Sequence, residues 1–286
     1  MKENRSDYFQ DQVAIITGAG GTLSSVIALD LARKGAKVVL IGRTEEKLRT
    51  VSDQIEAEGG SALVAPCDVV DEPAIQKIAD RSFEQWGPCR FLINGAGGNN
   101  NKALTTNFTF DPKELEIDKP EEMRGFFDLD LEIFQDVLKI NTMGTVIPCR
   151  IFGKQMARSG RGGILNFASM NSYRPLTRVP AYAMSKAAII NFTEWLSVYF
   201  APANIRVNAV APGFFVNDRS RKYLMTPDGE LSQRGKNVMQ HTPLGRFGEP
   251  RELLGCIEWL LNDEAAGFIT GITVPVDGGF LASAGI

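Results

Sequence analysis

Short apolar runs recur along the chain, and longer amphipathic stretches separate them. The runs are Gln12–Thr17 (QVAIIT), Lys37–Ile41 (KVVLI), Ala62–Pro66 (ALVAP), Phe91–Asn94, Gly163–Ala168 (GILNFA), Ile205–Ala211 (IRVNAVA) and Ile272–Val276 (ITVPV). Runs of this length, rich in Val, Ile and Leu, read as strands buried on both faces. The stretches between them carry helix signals. Thr22–Lys34 predicts a first helix, with Gly35 as its stop. Thr44–Glu58 predicts a second, with Thr44 as N-cap and Gly59-Gly60 beyond its end. Val179–Phe200 is long and apolar on more than one face, which predicts burial on both sides, as at a subunit interface. Strand–helix alternation of this kind builds βαβ units around a parallel sheet. The expected class is α/β, a doubly wound parallel sheet of about seven strands with helices on both faces.

No linker or repeat interrupts the alternation, so residues 1–286 read as one domain. Two stretches break its rhythm. Residues 98–124 are rich in Asn, Thr and charge, and residues 212–248 show no steady period. Long irregular segments in a compact α/β domain are usually binding loops or lids. The first is expected to be an insertion on the substrate side, the second a substrate loop. The net charge of −3 gives no basic footprint for nucleic acid or an anionic membrane. The opening MKENRSDYFQDQ has no apolar core and no run is long enough to span a bilayer, so a cytoplasmic protein is expected. Cys67, Cys89, Cys149 and Cys256 are scattered and form no CxxC pair, which suits reduced thiols. A single histidine, His241, argues against a His-rich metal site or a His-centred triad.

Candidate chemistry gathers at the strand ends. The first strand runs into TGAGGTLS, residues 17–24, and then a helix. Gly18, Gly20 and Gly21 let backbone N–H groups and the positive helix end approach a pyrophosphate, with Thr22 and Leu23 opening the helix. Glycine-rich turns of this kind also arise for packing reasons. With this loop the sheet reads as Rossmann-type. An acid at the end of the second strand would hydrogen-bond an adenine ribose 2′-hydroxyl, but the chain has Gly42 and Arg43 there. A missing carboxylate beside a guanidinium suits a 2′-phosphate, which favours NADP(H) and does not exclude NAD(H). A solvated surface arginine is the plainer alternative.

Residues 94–106, NGAGGNNNKALTT, hold far more glycine and amide than a turn needs. Further on, Tyr182 and Lys186 are four apart in a helical segment and share a face. A tyrosine with a pKa of about 10 is a poor proton donor or acceptor at neutral pH. An ammonium alongside favours the phenolate and pulls that pKa toward the working range. Ser169, at a strand end, could hydrogen-bond a substrate oxygen. A YxxxK pair alone is a weak signal, because a core tyrosine beside a solvated lysine looks the same.

Order and spacing make the set specific. A TGxxx loop follows the first strand, and Asn94-Gly95-Ala96-Gly97 follows the fourth. Asn141 lies inside a long helix, in INTMGT, and Ser169 precedes Tyr182 by thirteen residues. From Val13 to about Phe280 the chain resembles the short-chain dehydrogenase/reductase family. The resemblance implies an oxidoreductase acting on CH–OH groups through a tetrad at Asn141, Ser169, Tyr182 and Lys186. Tyr182 would be the general acid/base. Lys186 would lower its pKa and hold the nicotinamide ribose, and Ser169 would position the substrate oxygen. Asn141 would hold a water that links Lys186 to solvent. Cofactor contacts are implied at Asp68 and Val69 in CDV and at Asn94, Gly95, Ala96 and Gly97. Others are implied at the Pro212-Gly213 turn beside the nicotinamide and at Asn217. Hydride would pass between nicotinamide C4 and the substrate carbon while Tyr182 moves the proton. Asp277-Gly278-Gly279 resembles the closing segment that helps build the family's tetramer, so a homotetramer or homodimer is implied. Two departures stand out. The usual TGxxxGxG becomes TGAGGTLS, with Thr22 and Ser24 at glycine positions, and Gly95 replaces the second Asn of NNAG.

The substrate is the softer inference. The connection from Asn94 to Asn141 is longer than short family members need, and the excess lies between Gly98 and Arg124. Asn99, Asn100, Asn101, Lys102, Thr105 and Thr106 stand where a greasy substrate would want an apolar lining. Amides and hydroxyls suit a polyol, and a lysine suits a carboxylate. Arg174 and Arg178 lie between Ser169 and Tyr182. Asn99, Lys102, Asn171 and Arg174 are the candidate substrate contacts, and a polar carboxylate is the expected ligand. GAGGNNNKALTT with its insertion, together with APGFF, is similar to family members that act as D-mannonate oxidoreductases, with gluconate 5-dehydrogenases nearby. Reduction of D-fructuronate to D-mannonate is therefore expected. The alternatives are gluconate 5-dehydrogenase, a 3-oxoacyl thioester reductase, or a nucleotide-binding sensor or scaffold without turnover. Retention of Ser169, Tyr182 and Lys186 weighs against the last.

Overall fold

All seven apolar runs form strands, with ends within two residues of expectation. They are β1 (Val13–Thr17), β2 (Lys37–Gly42), β3 (Ser61–Pro66), β4 (Cys89–Asn94), β5 (Gly162–Phe167), β6 (Ile205–Pro212) and β7 (Thr273–Val276). The structure is a computed structural model that describes residues 7–216, 221 and 224–283. The strands pair in the order β3-β2-β1-β4-β5-β6-β7, and every pairing is parallel. The chain therefore winds outward from β1 to β3, then crosses back to β4 and winds the other way. A reversal of this kind opens a crevice at the carboxyl ends of β1 and β4, where α/β sheets bind ligands.

Alternate residues of each strand feed opposite layers. Ala14 and Ile16 of β1 pack on one face with α1 (Thr22–Arg33), α2 (Glu45–Ala57) and α7 (Leu254–Leu261). Val13 and Ile15 pack on the other with α3 (Glu72–Trp86), α4 (Leu131–Ser159) and α5 (Pro180–Phe200). Thr44 stands at the N-cap of α2, as expected, but its side chain makes no capping bond. The two faces of α5 behave differently. Ala181, Ile189 and Leu196 are buried, while Met184, Trp195, Val198 and Tyr199 are exposed on this single chain.

The two irregular stretches differ from each other. Residues 98–130 contain no α-helix or strand, only the 3-10 turns Asn101–Ala103, Pro112–Leu115 and Phe126–Asp128. Thr106 and Arg124 pin this insertion, since Thr106 N donates to Arg124 O (2.8 Å) and Arg124 N donates to Thr106 Oγ1 (2.9 Å). Residues 212–248, by contrast, carry a helix, α6 (Gln233–Gln240). Ser232 caps it by accepting from Gly235 N at 3.1 Å. Its polar composition leaves no apolar stripe in the sequence to announce it.

Candidate active site

The two glycine loops touch. Gly18 has φ +66°, and a Cβ there would lie 2.9 Å from both Cα and N of Ala96. Both the left-handed backbone and the close approach require glycine. The departures noted in the sequence are explained at the same contact. A Cβ at Gly95 would overlap Ser24 Oγ. Serine in the first loop and glycine in the second are thus two halves of one accommodation. N-cap Gly21 offers α1 no side-chain cap, whereas Asp71 and Asp130 cap α3 and α4. The first N–H groups of α1 are therefore left for an anion, and the loop stays bare because Cβ atoms at Gly18, Gly20 and Gly21 would meet Ala96, Lys47 and Gly18 O. This fits a dinucleotide pyrophosphate, with Thr22 and Leu23 in the first turn of the helix.

A cavity of about 410 Å³ lies beside the second glycine loop. Arg43, Asp68, Val70, Gly97, Asn99 and Lys139 are among the residues that line it. Arg43 is exposed and has no hydrogen-bond or ion-pair partner among the described residues. Asp68 Oδ1 accepts from Val70 N at 3.1 Å, which turns the chain so that Val70 faces the cavity. Val69 does not. It packs on α4, where a Cβ on Gly144 would come within 2.8 Å of it. The side chain of Asn94 is engaged inside the fold. Its side chain is buried, and Nδ2 donates to Asn166 Oδ1 (2.9 Å) and Cys149 Sγ (3.1 Å). That amide ties β4 to β5 and α4. Asn99, expected at the substrate, lines this cavity with Arg43 because the loop after β4 turns toward β2 and β3.

The tetrad residues come from β5, α4 and α5. Lys186 is buried, and its Nζ donates to Phe167 O at 2.6 Å. Nζ lies 5.7 Å from the centroid of the Tyr182 ring one turn earlier. A Cβ on Gly97 would sit 2.5 Å from Asn141 Oδ1 and 3.7 Å from Lys186 Nζ, so Gly97, Asn141 and Lys186 converge with no room for a side chain. Burial lowers the pKa of Lys186 to about 8. Ser169 Oγ accepts from Asn171 N (3.2 Å) and Asn171 Nδ2 (3.4 Å), while Asn171 Oδ1 accepts from Leu176 N (2.9 Å). Asn171 is thus a buried brace for Ser169, held by its own turn, and not an outward contact. Asn141 clamps the second glycine loop. It donates from Nδ2 to Gly98 O and Val137 O, both at 2.7 Å, and accepts from Gly98 N at 3.1 Å. Both amide hydrogens are engaged, so a water could reach only the remaining lone pair of Oδ1.

The expected substrate contacts fare unevenly. Arg174 donates to Ser283 O (2.8 Å) and is tied to the C-terminal segment. The hydroxyls of Thr105 and Thr106 bond to Asn107 O and Arg124 O, inside their own loop. Lys102 is exposed, and among the described residues no hydrogen bond or ion pair holds its ammonium. Gly213 closes β6, donating to Val276 O at 2.9 Å, and a Cβ there would lie 2.6 Å from Asp277 Cα. Asn217 lies outside the described residues. Val70, the clamp on Gly98 and Arg234 on α6 carry no signal in the sequence, and nothing there separates Arg178 from Arg174.

Residues 12–226 match the family model described as short chain dehydrogenase. The chain is a short-chain dehydrogenase/reductase. Within this family it is 41% identical over 275 residues to the uncharacterized oxidoreductase UxuB of Bacillus subtilis, covering 96% of each chain. It superposes with a TM-score of 0.90 and 39% identity on a Haemophilus influenzae protein, described provisionally as a D-mannonate oxidoreductase and solved with NAD bound. The match covers 97% of each chain. A Burkholderia cenocepacia gluconate 5-dehydrogenase, solved with NADP and tartrate, matches at 25% identity and a TM-score of 0.80. That match covers 97% of this chain and 99% of the other. As a short-chain dehydrogenase/reductase the chain is an NAD(P)-linked oxidoreductase. Among the described residues, no helix is long and apolar enough to cross a membrane.

Proposed function

We propose that this enzyme interconverts D-fructuronate and D-mannonate. The observation that carries the substrate is the likeness to the Haemophilus influenzae protein over nearly the whole of both chains, insertion included. The chemistry rests on the convergence of Gly97, Asn141 and Lys186 beside Tyr182. The nicotinamide, when bound, supplies or accepts the hydride. Tyr182 gives its phenolic proton to the ketone oxygen in reduction and takes it back in oxidation. Lys186, protonated below about pH 8, stabilises the phenolate that remains. Ser169, braced by Asn171, donates to the same substrate oxygen, which needs its hydroxyl hydrogen free. Both bonds from Asn171 leave that hydrogen free, because the oxygen accepts them.

Gly18, Gly20, Gly21 and the open end of α1 would hold the pyrophosphate. Asp68 and Val70 would flank the adenine. Arg43, unpaired and without an acid beside it at Gly42, favours the 2′-phosphate of NADP(H). The NAD carried by the Haemophilus influenzae relative keeps NAD(H) in play. We further propose a cytoplasmic homotetramer, since the exposed Trp195, Val198 and Tyr199 of α5 suit a second copy.

The test is initial-rate loss of reduced-nicotinamide absorbance with D-fructuronate, 5-ketogluconate and a 3-oxoacyl thioester, under NADPH and NADH in parallel. A saturable rate with D-fructuronate, well above the other two, is expected. A higher rate with 5-ketogluconate would move the enzyme to the gluconate 5-dehydrogenase group, and a preference for NADH would remove the role given to Arg43.

A further inference from the structure

Tyr182 is the third residue of α5, in a first turn that no side chain caps. By contrast, Asp71 and Asp130 cap α3 and α4. An uncapped helix end leaves its first N–H groups unpaired and frays readily. Something else must hold this turn, and the insertion does so at two points.

The first point is a pair of bonds. Thr105 N donates to Arg178 O (3.2 Å), and Arg178 Nε donates to Thr105 O (2.9 Å). Arg178 lies just ahead of Pro180, where α5 begins, and adopts φ +74°. The other described non-glycine residues at positive φ are Asp11 and Asn204, whose short polar side chains tolerate it. Arginine has no such compensation, and a strained backbone persists where its surroundings enforce it. The Phe108 ring, 5.9 Å from the guanidinium, adds another contact from the same loop. The second point is a wedge. Ala103 closes the turn Asn101–Ala103, is fully buried, and packs with Val137 of α4 and Ala181 of α5. Tyr182 packs against this cluster. Lys186, one turn on, is held independently through its bond to Phe167 O (2.6 Å). A loosened first turn would carry Tyr182 away from a lysine that stays in place.

We propose that Arg178 and Ala103 are positioning residues for Tyr182, through which the insertion clamps the uncapped first turn of α5 and holds the proton donor beside Lys186. This deepens the proposed reaction and rests on it for the role of Tyr182. The insertion then has a mechanical task besides lining the substrate side. A proton donor displaced by about 1 Å can cost roughly 100-fold in rate, so a clamp on this turn acts on kcat.

Two measurements on the same variants test the clamp. One is steady-state reduction of D-fructuronate. The other is amide hydrogen exchange of the first turn of α5, residues 180–186, against its distal half, residues 190–200, and it does not depend on turnover. Arg178→Gly removes the Nε donor, and glycine suits φ +74°, so the fold is kept and the thermal midpoint should stay within about 4 °C. Its kcat should fall roughly 10- to 100-fold with little change in KM. Exchange over 180–186 should quicken roughly 2- to 10-fold, the range for one lost hydrogen bond, with 190–200 unchanged. Ala103→Gly, which deletes the buried methyl, should show the same pattern. Arg178→Gln loses the charge but keeps a donor at the same distance along the side chain, so it should restore most of the rate and protection that Arg178→Gly loses. Unchanged kcat and exchange in either glycine variant would overturn the clamp. So would a loss in Arg178→Gln as large as in Arg178→Gly, which would assign the charge and not the bond. Exchange that responds as expected in a wild type and variants that do not turn over D-fructuronate would keep the clamp and discard the reaction. Full turnover of D-fructuronate with a loosened first turn would keep the reaction and discard the positioning.

Discussion

Lys186 is the residue on which the proposed chemistry turns, and burial governs it. Its ammonium has one visible bond, to Phe167 O, and its pKa falls from its usual value near 10.5 to about 8. Burial disfavours the charged form, so the folded protein gives up this proton at lower pH than the unfolded chain. Between about pH 8 and pH 10.5 the unfolded state binds more protons, so this residue makes stability rise with pH there. Below pH 8 the full cost of the buried charge is present. Lys186→Met removes the linkage. Denaturant unfolding from pH 7 to pH 11 should show the wild type gaining on the variant by up to roughly 3 kcal/mol, at about 1.4 kcal/mol per pH unit. A difference that stays flat with pH would mean that Lys186 titrates as an exposed lysine. The same variant should lose turnover at every pH, because it removes the cation that lies over the Tyr182 ring.

At the scale of elements, the two glycine loops work as one part. Gly18 needs Ala96 close, and Gly95 needs Ser24 close, so α1 and the end of β4 cannot be altered separately. Gly95→Asn alone should clash with Ser24 Oγ and destabilise the protein. Ser24→Gly together with Gly95→Asn, the family's usual pair, should recover much of that loss. Sites in contact typically couple by about 0.5–3 kcal/mol in a double-mutant cycle. Additive effects, read from unfolding midpoints, would show that the two departures are independent. This contact also shows where legibility ended. All seven strands could be read because a sheet buried on both faces forces continuous apolar runs. Asn141, Ser169, Tyr182 and Lys186 could be read from their order and spacing by likeness to a family. The pairing of Ser24 with Gly95 could not, because each residue is seen alone in the sequence. Val70 replaced Val69 because the bond from Val70 N to Asp68 reverses which neighbour faces outward. Arg174 and Arg178 look alike in the sequence, and only their partners separate them, since Arg174 bonds Ser283 O and Arg178 bonds Thr105 O. Arg234 was hidden in a polar segment whose helix has no apolar stripe.

Across the whole molecule, Tyr8 and Asp263 meet beside the first residues of β4 and β6. Tyr8 OH accepts from Arg90 and from Asp263 N, and Asp263 also bonds Arg206 Nη2 at 2.7 Å. Arg90 in β4 and Arg206 in β6 are both buried, so this carboxylate is shared between two strands of the sheet. Those bonds tie β4 to β6 at their amino ends, while the insertion is anchored through Thr105 to Arg178 and through the buried Ala103 to α4 and α5. The division suits an enzyme whose core fixes the cofactor and proton donor and whose loops choose the substrate. The central claim is that Tyr182, held by α5 beside Lys186, moves the proton while the rest of the crevice only binds and orients. Replacing Tyr182 with Phe tests it most directly, with turnover of D-fructuronate and binding of reduced nicotinamide, by fluorescence, measured on the same preparation. Turnover should fall by at least about 1,000-fold, within the range for a lost general acid, with cofactor affinity changed less than about threefold. Undiminished turnover in the phenylalanine variant would contradict the mechanism.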